Sequence, residues 1–273
     1  MSTRRTFTEP SIQENFERDG YVILPWISVE TVNALRQQYE ELGHHRRKGF
    51  HATMFHESTD YRQRVYEIVQ PVLSETAPKY FKNHKPLTGQ FAVKEPGLES
   101  FLNYHLDWSF LDERTSSSVS IWCPLQPVNG MNGYLWVLPG SHLLPFTIRG
   151  FGYIHTQCPT DEVLKRRFKR LALIPELGHA VVYDHRLIHG SPANLSEETR
   201  VVAALVMLPE ESQSLYYHRK GNSEIEIIET DSFFYSRFCI TENPKGIRKL
   251  GKIRVAPNYI KPSEMALFVD RKN

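Results

Sequence analysis

The stretch GHAVVYDHRLIHGSPANLSEETRVV, residues 178–202, carries the reading on which the fold turns. His179–Tyr183 is apolar and β-branched, as a buried strand requires, and Arg200 opens a second such run that extends to Leu208. Between them GSPAN and SEE supply turn residues. The layout is strand, turn, strand, and it places His189 and Arg200, eleven residues apart, on neighbouring strands. Val201–Leu208 is also the longest uninterrupted apolar run in the chain, far short of the ~18 residues of a membrane span.

The same alternation of short runs and turn signals reaches back to about residue 87. Gly89–Lys94, Phe101–Trp108, Ser116–Leu125 and Gly133–Leu138 read as strands, separated by EPG, NGMNG and LPGS. Many short strands so punctuated argue for a β-sandwich or barrel. N-terminal to them the chain reads helical. Ser28 can cap a helix in which Val29, Val32, Leu35, Tyr39 and Leu42 recur three and four residues apart. A second pattern, Tyr61, Val65, Ile68, Val69, Val72 and Leu73, stops near Pro78, and GYVILP (20–25) reads as a short strand closed by proline. These helices are expected on one outer sheet. The polar stretch Asp161–Arg170 reads as a solvated helix between strands, and its KRRFKR run as an exposed face.

With 273 residues, 40% hydrophobic and 23% charged, the chain has the composition of a globular protein with a substantial core. No linker or repeat divides it, so a single domain over 1–273 is expected. A net charge of +2 offers no footing for nucleic acid or a membrane surface. Cys123, Cys158 and Cys239 are odd in number and lack CxxC spacing, which fits a reducing compartment. The first residues hold no apolar core of the kind a signal peptide needs, and the expectation is a cytoplasmic protein.

A second stretch, NYHLDWSF (103–110), sets a histidine and an aspartate two positions apart. On a strand, residues i and i+2 share a face, so His105 and Asp107 can converge on one ion while Tyr104 and Leu106 face the core. Such a pair leaves a third ligand to be supplied from a distant strand. Two histidines and one carboxylate form the facial triad of non-haem Fe(II) sites, which leaves three coordination positions open. His189 is the best distal candidate and His185 its main rival. Arg200 has a use beside such a site, because its planar fork can bind the far carboxylate of a dicarboxylic acid, with Ser191 adding a hydroxyl. The plain alternative is that Arg200 begins an edge strand and pairs with Glu197 or Glu198. His142 reads as structural, and His44, His45, His51 and His56 as surface or pocket-rim residues.

Taken together, FERDGYVILP (16–25), HLD (105–107), NGYLWVLPGSH (132–142) and YDHRLIHGSPANLSEETR (183–200) resemble the phytanoyl-CoA dioxygenase family of Fe(II)/2-oxoglutarate oxygenases, over about residues 12–208. The resemblance implies a mainly β fold, a double-stranded β-helix (a cupin-like jelly roll) with N-terminal helices packed on one sheet. It implies metal ligation by His105, Asp107 and His189 and 2-oxoglutarate binding by Arg200, with Ser191, Gln90 and Trp122 as further cosubstrate contacts. The implied cofactors are Fe(II), 2-oxoglutarate and O2. The implied reaction is hydroxylation of an unactivated C–H bond with release of succinate and CO2. Related halogenases carry a small residue in place of the carboxylate, so the presence of Asp107 speaks against halogenation.

The substrate is read as a small molecule with a polar, anionic character. Trp108 follows the ligands, Lys94 and Arg149 could receive an anionic group, and Asp112 and Glu113 would stand at the pocket mouth. LYYHRK (215–220) and FFYSRF (233–238) read as core or lid packing within a C-terminal extension, 209–273, that serves as a lid or an interface. Two other classes stay open. A peptide side-chain hydroxylase would call for a wide, acid-rimmed groove. A non-catalytic jelly-roll binding module would call for loss of a ligand or of the arginine, yet all four residues are present.

Overall fold

The computed structural model describes residues 4–43, 47–145, 148–151, 164, 166–221, 224–231, 233–238 and 246–254. The N-terminal part builds one layer. Helix α1 (Pro10–Asp19) has proline in its first turn and ends at Gly20, whose φ of 82° is a left-handed conformation open to glycine. Strand β1 (Tyr21–Pro25) follows, and then α2 (Val29–Glu41), where the Ser28 hydroxyl accepts from the Thr31 N–H as the sequence predicts. After β2 (Phe50–Ala52), α3 (Thr59–Glu75) is capped in the same way by Ser58, and Pro78 lies in the first turn of a short α4 (Ala77–Tyr80).

Six strands then arrive as expected, with shifted ends: β3 (His84–Lys94), β4 (Leu102–His105), β5 (Val119–Pro124), β6 (Leu135–Val137), β8 (His179–Asp184) and β10 (Arg200–Pro209); two short ones, β7 (Leu171–Leu173) and β9 (His189–Ser191), fall outside the runs read from sequence. With β1 and β2, four of these form a six-stranded antiparallel sheet in the order β1-β8-β5-β10-β3-β2, and the other four form a second sheet, β4-β9-β6-β7. This is the jelly roll with its helices on one face. The outer face of the larger sheet meets the helices through Val32, Leu35 and Tyr39 of α2, Val65, Val69 and Leu73 of α3, and Phe91, Val93, Val201, Ala203 and Leu205 of β3 and β10. Burying each such side chain contributes about 1.5–3 kcal/mol.

One expectation changes. His189 and Arg200 are not on neighbouring strands of one sheet, because β9 pairs with β4 and β6 while β10 pairs with β3 and β5. The 192–199 turn crosses from one sheet to the other, so the two residues look at each other across the space between the sheets. The helix expected over Asp161–Arg170 lies partly outside the described residues; its Leu164 is fully buried with Leu106, Leu138, Leu144 and Ile188, so the segment has an inward face. His44, His45, Cys158 and Cys239 also lie outside the described residues.

The C-terminal stretch builds a third sheet, β11 (Leu215–Lys220), β12 (Glu224–Glu229) and β13 (Lys249–Arg254), with a helical turn at Phe234–Arg237. Tyr216, Phe234 and Tyr235 are buried in one cluster with Met54, Phe110, Phe151 and Val206. The aromatic runs of the extension are therefore core through Tyr216, Tyr217, Phe234 and Tyr235, while Phe233 is exposed. Among the described residues no helix is long and apolar enough to cross a membrane.

Candidate active site

His105 ends β4 and His189 begins β9, and the two are direct cross-strand partners. Their rings lie 4.2 Å apart between centroids. Asp107 stands two residues past His105, beyond the end of the strand, and its Oδ1 is 3.7 Å from His189 Nε2. One donor atom from each of the three lies within 4.8 Å of the others, as a single ion would require. Backbone carbonyls set the tautomers. His105 Nδ1 lies 2.8 Å from Asn103 O and His189 Nδ1 lies 2.9 Å from Leu187 O. A proton donated there leaves each Nε2 lone pair for a metal. Between His189 and Ser191, Gly190 has no room for a side chain: a Cβ would sit 2.3 Å from the Trp136 ring and 2.7 Å from Leu102 O.

His185, the rival ligand, is otherwise engaged. It is buried, with Nδ1 2.8 Å from Ser118 Oγ and Nε2 2.8 Å from Ser120 Oγ. Ser120 Oγ in turn donates to Asp107 Oδ2 at 3.3 Å. The sequence reading missed this network, whose signal is the i, i+2 pair Tyr183 and His185 behind the candidate ligands. Burial would raise the Asp107 carboxyl, but the imidazoles of His189, His185 and His105 and the Tyr183 hydroxyl outweigh it and hold the group below its usual range. Burial lowers His185, against Asp107 and Asp184, so it favours the neutral ring.

Across the cavity stands Arg200, 1% exposed. Its Nε and Nη1 are buried without a hydrogen-bond partner, and its guanidinium lies 5.6 Å from the Trp122 ring. Desolvation pulls it down to about 9. Glu197 and Glu198 do not pair with it, so the plain alternative for this arginine fails among the described ion pairs. Gln90, whose Oε1 is also buried and unpartnered, lines the same cavity with Trp122 and Ser191. The Ser191 hydroxyl donates to Gly133 O at 3.1 Å. A cavity with two imidazoles and a carboxylate on one wall and an unpartnered guanidinium on the other fits a divalent metal together with a dicarboxylate.

Two residues read as substrate contacts are elsewhere. Lys94 is fully buried and does not line the cavity. Its Nζ donates to Ser100 O and, at 2.6 Å, to Pro192 O, so it ties β3 to the loops beside β4 and β9. Arg149 is fully buried as well. It holds Glu113 through two bonds of 2.5 and 2.8 Å, and its Nε donates to the Asp107 carbonyl at 2.5 Å. Both side chains are used up inside the protein, the first by backbone carbonyls and the second by Glu113. Trp108, by contrast, does line the cavity.

A jelly roll with a candidate metal triad on one sheet and a buried cation on the other is the frame of the 2-oxoglutarate-dependent non-haem oxygenases. Within that class the pattern of the phytanoyl-CoA dioxygenase (PhyH) family matches residues 16–202, and the chain belongs to this family. A phytanoyl-CoA dioxygenase of Arabidopsis thaliana is 29% identical over 117 residues, which cover 42% of this chain and 41% of that one. The matched stretches span less than half the length of the curated relatives. Among solved structures, the epimerase SnoN in complex with Fe3+, alpha ketoglutarate and nogalamycin RO superposes with a TM-score of 0.55, at 17% identity over 91% of this chain and 93% of that one. The non-heme alpha ketoglutarate dependent carbocyclase SnoK from nogalamycin biosynthesis gives 0.54, at 20% identity over 76% and 86%. At these identities the likeness is one of fold.

Proposed function

We propose that the protein is an Fe(II)- and 2-oxoglutarate-dependent oxygenase that hydroxylates a C–H bond of a small molecule. The observation that carries this reading is the pairing, across one cavity, of the His105–Asp107–His189 convergence with an Arg200 that is buried and unpartnered. His105, Asp107 and His189 would hold the metal, Arg200 would fix the far carboxylate of 2-oxoglutarate, and Gln90, Trp122 and Ser191 would line its slot. When bound, iron and 2-oxoglutarate supply the O2-activating oxidation, with succinate and CO2 as coproducts.

The chain's own part is positioning. The carbonyls of Asn103 and Leu187 keep the imidazole protons on Nδ1. Ser120 and Tyr183 hold the Asp107 carboxylate. The Arg149 Nε–H holds the backbone carbonyl of Asp107 while the Nη fork is bound to Glu113. Asp112 and Glu113, which would rim a peptide groove, are paired with Arg114 and Arg149, which favours a small molecule over a peptide.

The test is formation of succinate from 2-oxoglutarate in air. The expected result is turnover that requires added Fe(II) and is lost in Asp107→Ala. Wild-type protein that neither turns over nor binds 2-oxoglutarate would overturn the proposal.

A further inference from the structure

With Lys94 and Arg149 withdrawn, the cavity wall formed by β2, the loop behind the candidate ligands and the middle of β10 is apolar, and its polar neighbour His185, 5.3 Å from the Phe110 ring, has both nitrogens engaged by Ser118 and Ser120. Phe50 and Ala52 come from β2, Met54 from the turn after it, Trp108 and Phe110 from the loop behind the ligands, and Val206 from β10. All six belong to or pack on one hydrophobic cluster. Trp108 is half-buried and held from two sides. It stacks on Phe151 at 4.6 Å with 27° between planes, and Phe55 meets it edge-on at 5.3 Å. Phe151 stacks in turn on Tyr216 at 4.9 Å. The indole is therefore the end ring of a stack that runs through the fully buried Phe151 and Tyr216 to His218, and it is the ring of this stack that lines the cavity.

Electrostatics narrows the choice of ligand. Arg200 is the one lysine or arginine among the described residues that line the cavity, and the cosubstrate would occupy it. An anionic group laid against Phe50, Met54, Trp108 and Val206 would lose its water and gain no partner. A flat, uncharged ring would gain buried area and an offset stack on an already ordered indole.

On the oxygenase reading of the site, we propose that the substrate presents an uncharged, flat, apolar ring to the centre, stacked on Trp108 within the Phe50–Met54–Phe110–Val206 wall. Trp108 is then the residue that selects the substrate. This replaces the anionic character read from Lys94 and Arg149.

The experiment is calorimetric titration, under anaerobic conditions, of protein loaded with Fe(II) and 2-oxoglutarate. The probes are naphthalene-2-methanol and 2-naphthoate, which share a ring and differ in charge. The alcohol is expected to bind at least about ten-fold more tightly than the carboxylate, and Trp108→Ala to weaken it by about ten-fold, while Trp108→Phe keeps most of the affinity. Retained 2-oxoglutarate affinity in each variant reports that the site is folded. The proposal is overturned if the carboxylate binds as well as the alcohol, if neither ring binds, or if Trp108→Ala has no effect. Should the wild-type protein fail to take up 2-oxoglutarate beforehand, the oxygenase reading falls, and the ring proposal falls with it.

Discussion

Arg200 and Lys94 sit opposite each other on β10 and β3, both fully buried, and they answer the cost of burial in different ways. Lys94 gives its protons to carbonyls, whereas Arg200 leaves two nitrogens unpaired. An unpartnered buried guanidinium is a cost that a cosubstrate carboxylate would remove. Arg200→Met should therefore raise the stability of the ligand-free protein, by about 1–3 kcal/mol, and abolish stabilisation by 2-oxoglutarate. Thermal unfolding with and without the ligand checks this, and a less stable variant that still responds would contradict it.

Lys94 gives a pH dependence. Burial, with Arg200 nearby, pushes its ammonium down to about 6. In the unfolded chain a lysine keeps its proton to about 10.4. Between these values the unfolded state binds the extra proton, so stability rises with pH, and the full cost of the buried charge returns below 6. Lys94→Met should flatten the stability curve between about pH 6 and 9 by up to about 1.4 kcal/mol per pH unit. Parallel curves from denaturant unfolding would refute it. At this scale His105, Asp107, His189 and Arg200 were legible as candidates only because residue type and spacing were joined by the family resemblance; alone, the spacing left Arg200 as an edge-strand residue. Lys94 and Arg149 were misread because the partner of a buried cation is fixed by tertiary contacts, which the local sequence does not contain.

The loop from Asp107 to Phe110 depends on an element far along the chain. Arg149 and Ser109 bond each other twice, Ser109 N to Arg149 O at 3.0 Å and Arg149 N to Ser109 Oγ at 3.1 Å. The Arg149–Glu113 pair is almost wholly buried, with side chains 1% and 9% exposed. Removing one partner leaves the other as an uncompensated buried charge, so Arg149→Ala should cost about 3–5 kcal/mol. Through Asp107 it should also weaken metal affinity by about 10–100-fold. The double change Arg149→Leu with Glu113→Leu should recover stability without recovering metal affinity. Equilibrium unfolding and metal titration separate the two effects, and recovery of both would show that the pair only packs. Helix α1 was missed from sequence although Pro10 and Gly20 mark its two ends, because its apolar stripe is short: Gln13 and Phe16 are its buried residues.

Across the whole molecule, the C-terminal extension stands behind the cavity. Tyr216 packs on Phe151, which carries Trp108, and the Tyr235 hydroxyl donates to Leu215 O at 2.8 Å. Tyr216→Ala should cost about 3–5 kcal/mol, as large aromatic truncations do, and denaturant unfolding measures it. A change under about 0.5 kcal/mol would mean that the extension is not part of this core. The strands of the jelly roll were visible as short apolar or β-branched runs set between turn residues, since several of them, β5 and β10 among them, are buried on both faces. The assignment of strands to facing sheets was not, since the 192–199 turn reads the same whether it joins neighbours or crosses between layers. The third sheet was missed because charge interrupts its apolar pattern: Glu226 of β12 is buried against Lys220 and Lys249, and β13 is exposed along nearly its whole length.

The central claim is that one cavity binds iron and 2-oxoglutarate together. Its most direct test is anaerobic titration of the metal-free protein with Fe(II) and then 2-oxoglutarate, followed by visible absorption. A metal-to-ligand charge-transfer band is expected, and it is absent in His105→Ala and in Arg200→Met. No band from the wild-type protein, with metal analysis finding no bound iron, would contradict it.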